Sequence, residues 1–202
     1  DGLVRLQVIE SRIKRVLVTG NEYYTMEYIK EHLPGIQPGN ILYLPQIREE
    51  LAAINRTRDL KVAPVLIPGR ELGTINVELK AEDALPLHGS LELNNRHSDT
   101  TTETRVNGMI SYDNLWQKGH SISGQFQISP QDLDEVRVIS TSYTLPAPWE
   151  KEHMLISYFI KSDSETASGE GFNVIGEGMM FGFRYMAPLP SLTRYDHNVT
   201  LG

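Results

Sequence analysis

Between Ser121 and Ser129 the chain alternates residue by residue. Ile122, Gly124, Phe126 and Ile128 fall on one side, and Ser121, Ser123, Gln125, Gln127 and Ser129 on the other. A side-chain period of two is a strand signature. A face of pure Ser and Gln opposite one of Ile, Phe and Gly describes a sheet with a different solvent on each side. In a membrane the apolar side meets lipid and the polar side meets a pore. This period dominates after about Pro86. Before Pro86, apolar residues recur at helical spacing between short strands.

Composition narrows the classes. The chain has 202 residues, enough for one or two domains. At 40% hydrophobic and 22% charged it is not a disordered composition. A net charge of -7 argues against nucleic acid as a main partner. No run reaches the roughly 20 apolar residues of a membrane helix, which leaves spanning strands open. Cysteine is absent, so disulfides, thiol nucleophiles and thiolate metal sites are excluded. Asp1–Arg5 lacks the basic start and apolar core of a signal peptide. Leu3–Ile9 alternates instead, and a chain opening inside a strand reads as part of a longer protein.

The N-terminal half reads strand–helix–helix–strand–strand. Ile13–Thr19 is a strand closed by Gly20-Asn21. Thr25 can cap a short helix with Met26, Ile29 and Leu33 on one side, stopped by Pro34-Gly35. A second helix starts around Pro45. Leu44, Ile47, Leu51 and Ile54 form its buried stripe, and Arg48, Glu49 and Arg56 point outward. Strands follow at Lys61–Ile67 and Leu72–Lys80, joined by a turn at Pro68-Gly69. Two amphipathic helices on one face of a small mixed sheet close such a unit.

The C-terminal half reads as strands at His88–Asn95, Glu103–Tyr112, His120–Ser129, Glu135–Leu145, His153–Ser162 and Gly171–Met186, with a seventh from His197. Several are about ten residues, the length a tilted strand needs to cross a bilayer. Connections at Ser98–Thr102, Pro130–Asp134 and Asp163–Gly169 are polar and acidic. Those at Asn114–Lys118, Pro146–Glu152 and Pro188–Arg194 carry Trp116, Trp149, prolines and the neighbouring Tyr195. With strands running up and down, the two kinds fall at opposite ends. Trp and Tyr at one end suit a membrane interface. Val136–Ile139 and Met179–Phe181 carry apolar residues on both faces, so soluble packing of these strands stays open.

No constellation points to catalysis, a cofactor or a metal, and the expectation is a protein that is not an enzyme. His32, His88, His97, His120, His153 and His197 lack the spacing of a helical metal pair. Asp132-Leu133-Asp134-Glu135 reads as a solvated acidic loop before it reads as a calcium site. Gly176, Gly178 and Gly182 share a strand face, where glycine lets a strand bend, and no strand-to-helix switch follows to make a phosphate loop. No Gly-x-Ser-x-Gly elbow is present.

Several segments carry a family resemblance. They are Gly39-Asn40-Ile41-Leu42, Gln46–Leu51, Ile54-Asn55-Arg56, Leu66-Ile67-Pro68-Gly69 and Gly73-Thr74-Ile75. Together they resemble the second polypeptide-transport-associated (POTRA) domain of two-partner secretion transporters, the hemolysin secretion/activation proteins of Gram-negative outer membranes. Tyr112-Asp113-Asn114-Leu115 with Lys118-Gly119-His120 resembles that family's first periplasmic barrel turn, and Ser142–Pro146 the end of its fourth strand.

The resemblance implies an α+β chain: a β-α-α-β-β module followed by antiparallel strands forming part of an outer-membrane β-barrel. It divides the chain into residues 1–11, the last strand of a preceding POTRA domain; 12–84, a POTRA domain; and 85–202, the first strands of an incomplete barrel. It places the protein in the outer membrane with a periplasmic POTRA domain, touching outer-membrane lipid and a secreted, unfolded polypeptide client. In the POTRA arrangement Lys61–Ile67 is a sheet edge beside the second helix. An exposed edge accepts an extended peptide as an added strand. Lys61, Val62, Ala63, Val65, Leu66 and Ile67, with Arg48 and Ala52 of the helix, are therefore the expected client contacts. Pro64 fits an edge, because proline cannot donate to a ladder on that side.

Two rival readings stand beside protein export. One is assembly of outer-membrane proteins. The other is a soluble periplasmic peptide-binding module whose C-terminal strands form a self-contained sandwich. The fate of the Ile122, Phe126 and Ile128 face separates the last from the first two.

Overall fold

The computed structural model describes residues 10–97, 101–164, 167–169, 172–174, 176–192 and 195–202. The expected strand at Leu3–Ile9 lies outside them. The chain divides into two units, one up to Pro86 and one from Leu87 onward.

The first unit holds β1 (Arg12–Thr19), α1 (Met26–Glu31), α2 (Leu44–Ile54), β2 (Leu60–Pro68) and β3 (Thr74–Asp83). This is the β-α-α-β-β order expected. The sheet order is β1-β3-β2, with β1 parallel and β2 antiparallel to the central β3. In β3, Val77, Leu79 and Ala81 alternate inward and meet Leu60 and Val62 of β2 and Ile29, Ile47 and Ile54 of the helices in one core. Thr25 caps α1 by accepting from the Tyr28 N–H at 3.2 Å.

One residue of the expected buried stripe, Leu44, departs from expectation, and Met26 of the first helix behaves in the same way. Met26 and Leu44 are exposed, not buried. Each is the first residue of its helix. Helical side chains lean toward the N-terminus, so at the first position they lean off the end of the core. Tyr24 and Tyr28, their rings 5.3 Å apart, are buried at the first helix instead. Gly20 closes β1 at φ +85°, where a Cβ would lie 2.4 Å from the Ala81 carbonyl oxygen. Asp83 then pins the following loop by accepting from the N–H groups of Glu22, Tyr23 and Tyr24 at 2.8–3.0 Å.

The second unit comprises β4 (Leu87–Asn94), β5 (Arg105–Leu115), β6 (His120–Ile128), β7 (Val136–Ala147), β8 (Glu150–Ser164), β9 (Ala167–Gly169), β10 (Phe172–Val174), β11 (Gly178–Leu192) and β12 (Tyr195–Leu201). Seven of them form one antiparallel sheet in the order β12-β11-β8-β7-β6-β5-β4. The expected strand at Gly171–Met186 is corrected. Phe172–Val174 pairs back on Ala167–Gly169 as a separate hairpin, and β11 starts at Gly178. β11 also runs through Pro188, which pairs with Asn198, where the sequence reads a loop. A proline is tolerated where its nitrogen faces away from the ladder.

The register puts Ile110, Ile122, Phe126, Ile139, Phe159, Phe181 and Phe183 on one face, all exposed. Ser123, Gln125, Ser140 and Ser142 line the other, and the Ser123 and Ser142 hydroxyls bond at 2.8 Å. That polar face has an apolar spot where buried Val138 and Ile160 pack against Tyr158. At one end of the strands Trp116 and Trp149 are exposed in the turns. At the other, Glu135 accepts from the Thr102 N–H at 2.8 and 3.0 Å, tying two polar connections together. Among the described residues no helix is long and apolar enough to cross a membrane.

Candidate functional site

Among the described residues β2 is an edge of its sheet, with β3 alone beside it. Its burial changes along its length. Leu60 and Val62 are buried, whereas every residue from Ala63 to Pro68 is exposed. Val65, Leu66 and Ile67 are 36%, 47% and 44% exposed, so three consecutive apolar side chains reach solvent from both faces of the strand. Arg48 and Ala52 lie exposed on α2.

The direction of each peptide group follows from two bonds at the ends of β2. The Asp59 carbonyl accepts from the Ala84 N–H at 3.0 Å, and the Gly69 N–H donates to the Thr74 carbonyl at 2.8 Å. The β2–β3 pairing between them runs without a shift. In an antiparallel pair, alternate residues bond to the partner strand. Residues 61, 63, 65 and 67 therefore bond to β3, and residues 62, 64, 66 and 68 turn their main chain to the outer edge.

The outer edge is partly occupied. The Val62 N–H donates to Asn55 Oδ1 at 2.7 Å, and the Val62 carbonyl accepts from Asn55 Nδ2 at 3.0 Å. Asn55 ends α2. The Lys61 ammonium donates to the Asn55 carbonyl and, at 3.1 Å, to that of Thr57.

The expected client contacts thus divide. Val65, Leu66 and Ile67 are exposed, and of these Leu66 offers its main chain outward. Ala63 is exposed, with its main chain turned to β3. Lys61 is spent on the loop carbonyls. Val62 is a correction: its side chain is in the core and its peptide groups are taken, so neither is open to a strand. In the sequence Asn55 stands out only as part of the Ile54-Asn55-Arg56 segment, with no sign of a contact to β2. Only the tertiary fold brings its amide to Val62.

No family model matches the chain. The outer membrane transporter CdiB of Dickeya dadantii (strain 3937) is 27% identical over 115 residues, covering 57% of this chain and 20% of the relative. The resemblance to two-partner secretion transporters is borne out. The chain spans about a fifth of the length of that curated relative. Among solved structures, CdiB from Escherichia coli matches with TM-score 0.57 at 21% identity, over 88% of this chain and 32% of that one. A Haemophilus ducreyi BamA lacking POTRA domains 1-3 matches with TM-score 0.59 at 12% identity, over 89% and 32%. The fold is therefore an α+β unit followed by antiparallel strands like part of the CdiB and BamA β-barrels. CdiB is named as a transporter, not as an enzyme.

Proposed function

We propose that this chain belongs to an outer-membrane protein translocation pore that receives an unfolded secreted polypeptide and exports it through its barrel. In this reading the first unit is a periplasmic POTRA domain and the second is the start of the barrel wall. The observation that carries it is the outer edge of β2, where main-chain groups and exposed apolar side chains face solvent together. Such an edge binds by peptide hydrogen bonds and so accepts many sequences. Transfer needs no covalent chemistry, and folding of the client outside the cell would drive export.

The exposed face bearing Ile122, Phe126 and Phe181 supports a wall against lipid and speaks against a self-contained sandwich, which buries such a face between two sheets. The likeness to BamA supports assembly of outer-membrane proteins as a second reading at the level of fold. The sequence similarity runs to a transporter and favours export. A photo-cross-linker at position 67 of the full-length protein, during secretion, tests the site. Adducts with the unfolded client are expected there. Adducts only from positions on another face, such as Leu17 of β1, would move the site elsewhere.

A further inference from the structure

Four residues turn their main chain to the outer edge between Val62 and Pro68, and three of them offer no donor. Pro64 and Pro68 have no N–H. The N–H of Val62 is held by Asn55. One side-chain amide gives Val62 an acceptor and a donor together, which is what a residue of an added strand gives at a hydrogen-bonded pair. The edge therefore already holds a one-residue imitation of a neighbouring strand.

We infer that Asn55 is a register-setting cap: it closes the edge at Val62 and confines an added strand to Pro64–Pro68, centred on Leu66. The inference rests on the reading of this edge as the client site. The Leu66 N–H and the carbonyls of Pro64, Leu66 and Pro68 are the groups such a strand meets. An antiparallel strand exchanges both bonds with Leu66. A parallel one donates to the Pro64 carbonyl and accepts from the Leu66 N–H. Extension toward Val62 runs into the Asn55 amide in either direction. Val65, Leu66 and Ile67 cover both faces of this short window. The occupant it fits is a short extended segment with β-branched or aromatic residues at alternate positions and no proline opposite Leu66. Lys61 is a positioning residue here, since its ammonium binds the carbonyl of Asn55 itself.

The test uses the full-length protein in detergent and a fluorescent ten-residue peptide of alternating Thr and Val, with binding read by anisotropy. Asn55→Ala frees both Val62 groups and is expected to tighten binding about tenfold, two ordinary hydrogen bonds' worth. Asn55→Asp keeps the acceptor and loses the donor, and should fall between. Leu66→Pro should abolish binding. If Leu66→Pro abolishes binding while neither Asn55 variant changes it, the cap is overturned and the client edge stands. If none of the three changes binding, the edge reading falls as well. Hydrogen exchange on the unsubstituted protein checks the cap without any variant. The Val62 amide should exchange at least tenfold more slowly than that of Leu66, and equal rates would overturn the inference.

Discussion

Neighbouring residues of β2 differ in what they can lose. Val65 pairs with Glu78 and directs its N–H into the sheet, whereas Leu66 directs its N–H outward. Val65→Pro removes a ladder bond and leaves a carbonyl of β3 unpaired, a cost of about 1–3 kcal/mol. Leu66→Pro removes no bond within the sheet. Thermal unfolding should therefore separate the two variants, with the first clearly destabilised and the second close to the unsubstituted protein. Export should be lost in Leu66→Pro despite its intact fold. Normal secretion by that variant would remove the edge from the mechanism. The sequence distinguishes neither residue, since both are apolar positions in one run. The distinction comes from the phase of the ladder, which is fixed by bonds at Asp59 and Gly69.

Among the elements, the β5–β6 pair shows how a glycine and an aromatic residue share a site. Gly108 lies directly opposite Phe126, and the Phe126 ring lies over it, so that a Cβ on Gly108 would meet Cε1 at 2.1 Å. An aromatic side chain lying over a glycine restores contact that the missing side chain would have made. Gly108→Ala must displace the ring, at a cost on the order of 1 kcal/mol. Phe126→Ala should relieve that cost, giving a favourable coupling of similar size in a double-mutant cycle read by urea unfolding. Additive effects would mean that the ring is not seated there. Alternation along β6 made its two faces legible from the sequence, because a strand's period needs no partner to be seen. Its register against β5 was not legible, since any even shift keeps the same faces.

Across the second unit the apolar face has no cover among the described residues, and Phe181 and Phe183 are about two-thirds exposed. A lysine facing lipid at mid-membrane costs about 2–4 kcal/mol, and one facing the lumen costs far less. Phe126→Lys should therefore lower the stability of the full-length protein in lipid vesicles by about that amount, whereas Ser123→Lys should leave it nearly unchanged. Equal effects would mean that the two faces meet the same solvent. The sequence by itself determined the two periods, the order of the elements in the first unit and the apolar face of a cleanly alternating strand such as β6, because these depend on spacing along one chain. The tertiary structure alone decided that Asn55 closes the edge at Val62, that Leu66 is the outward donor and that Met26 and Leu44 fall outside the core. Those outcomes depend on which groups from distant parts of the chain come to lie side by side, and on where each helix ends relative to the sheet beneath it.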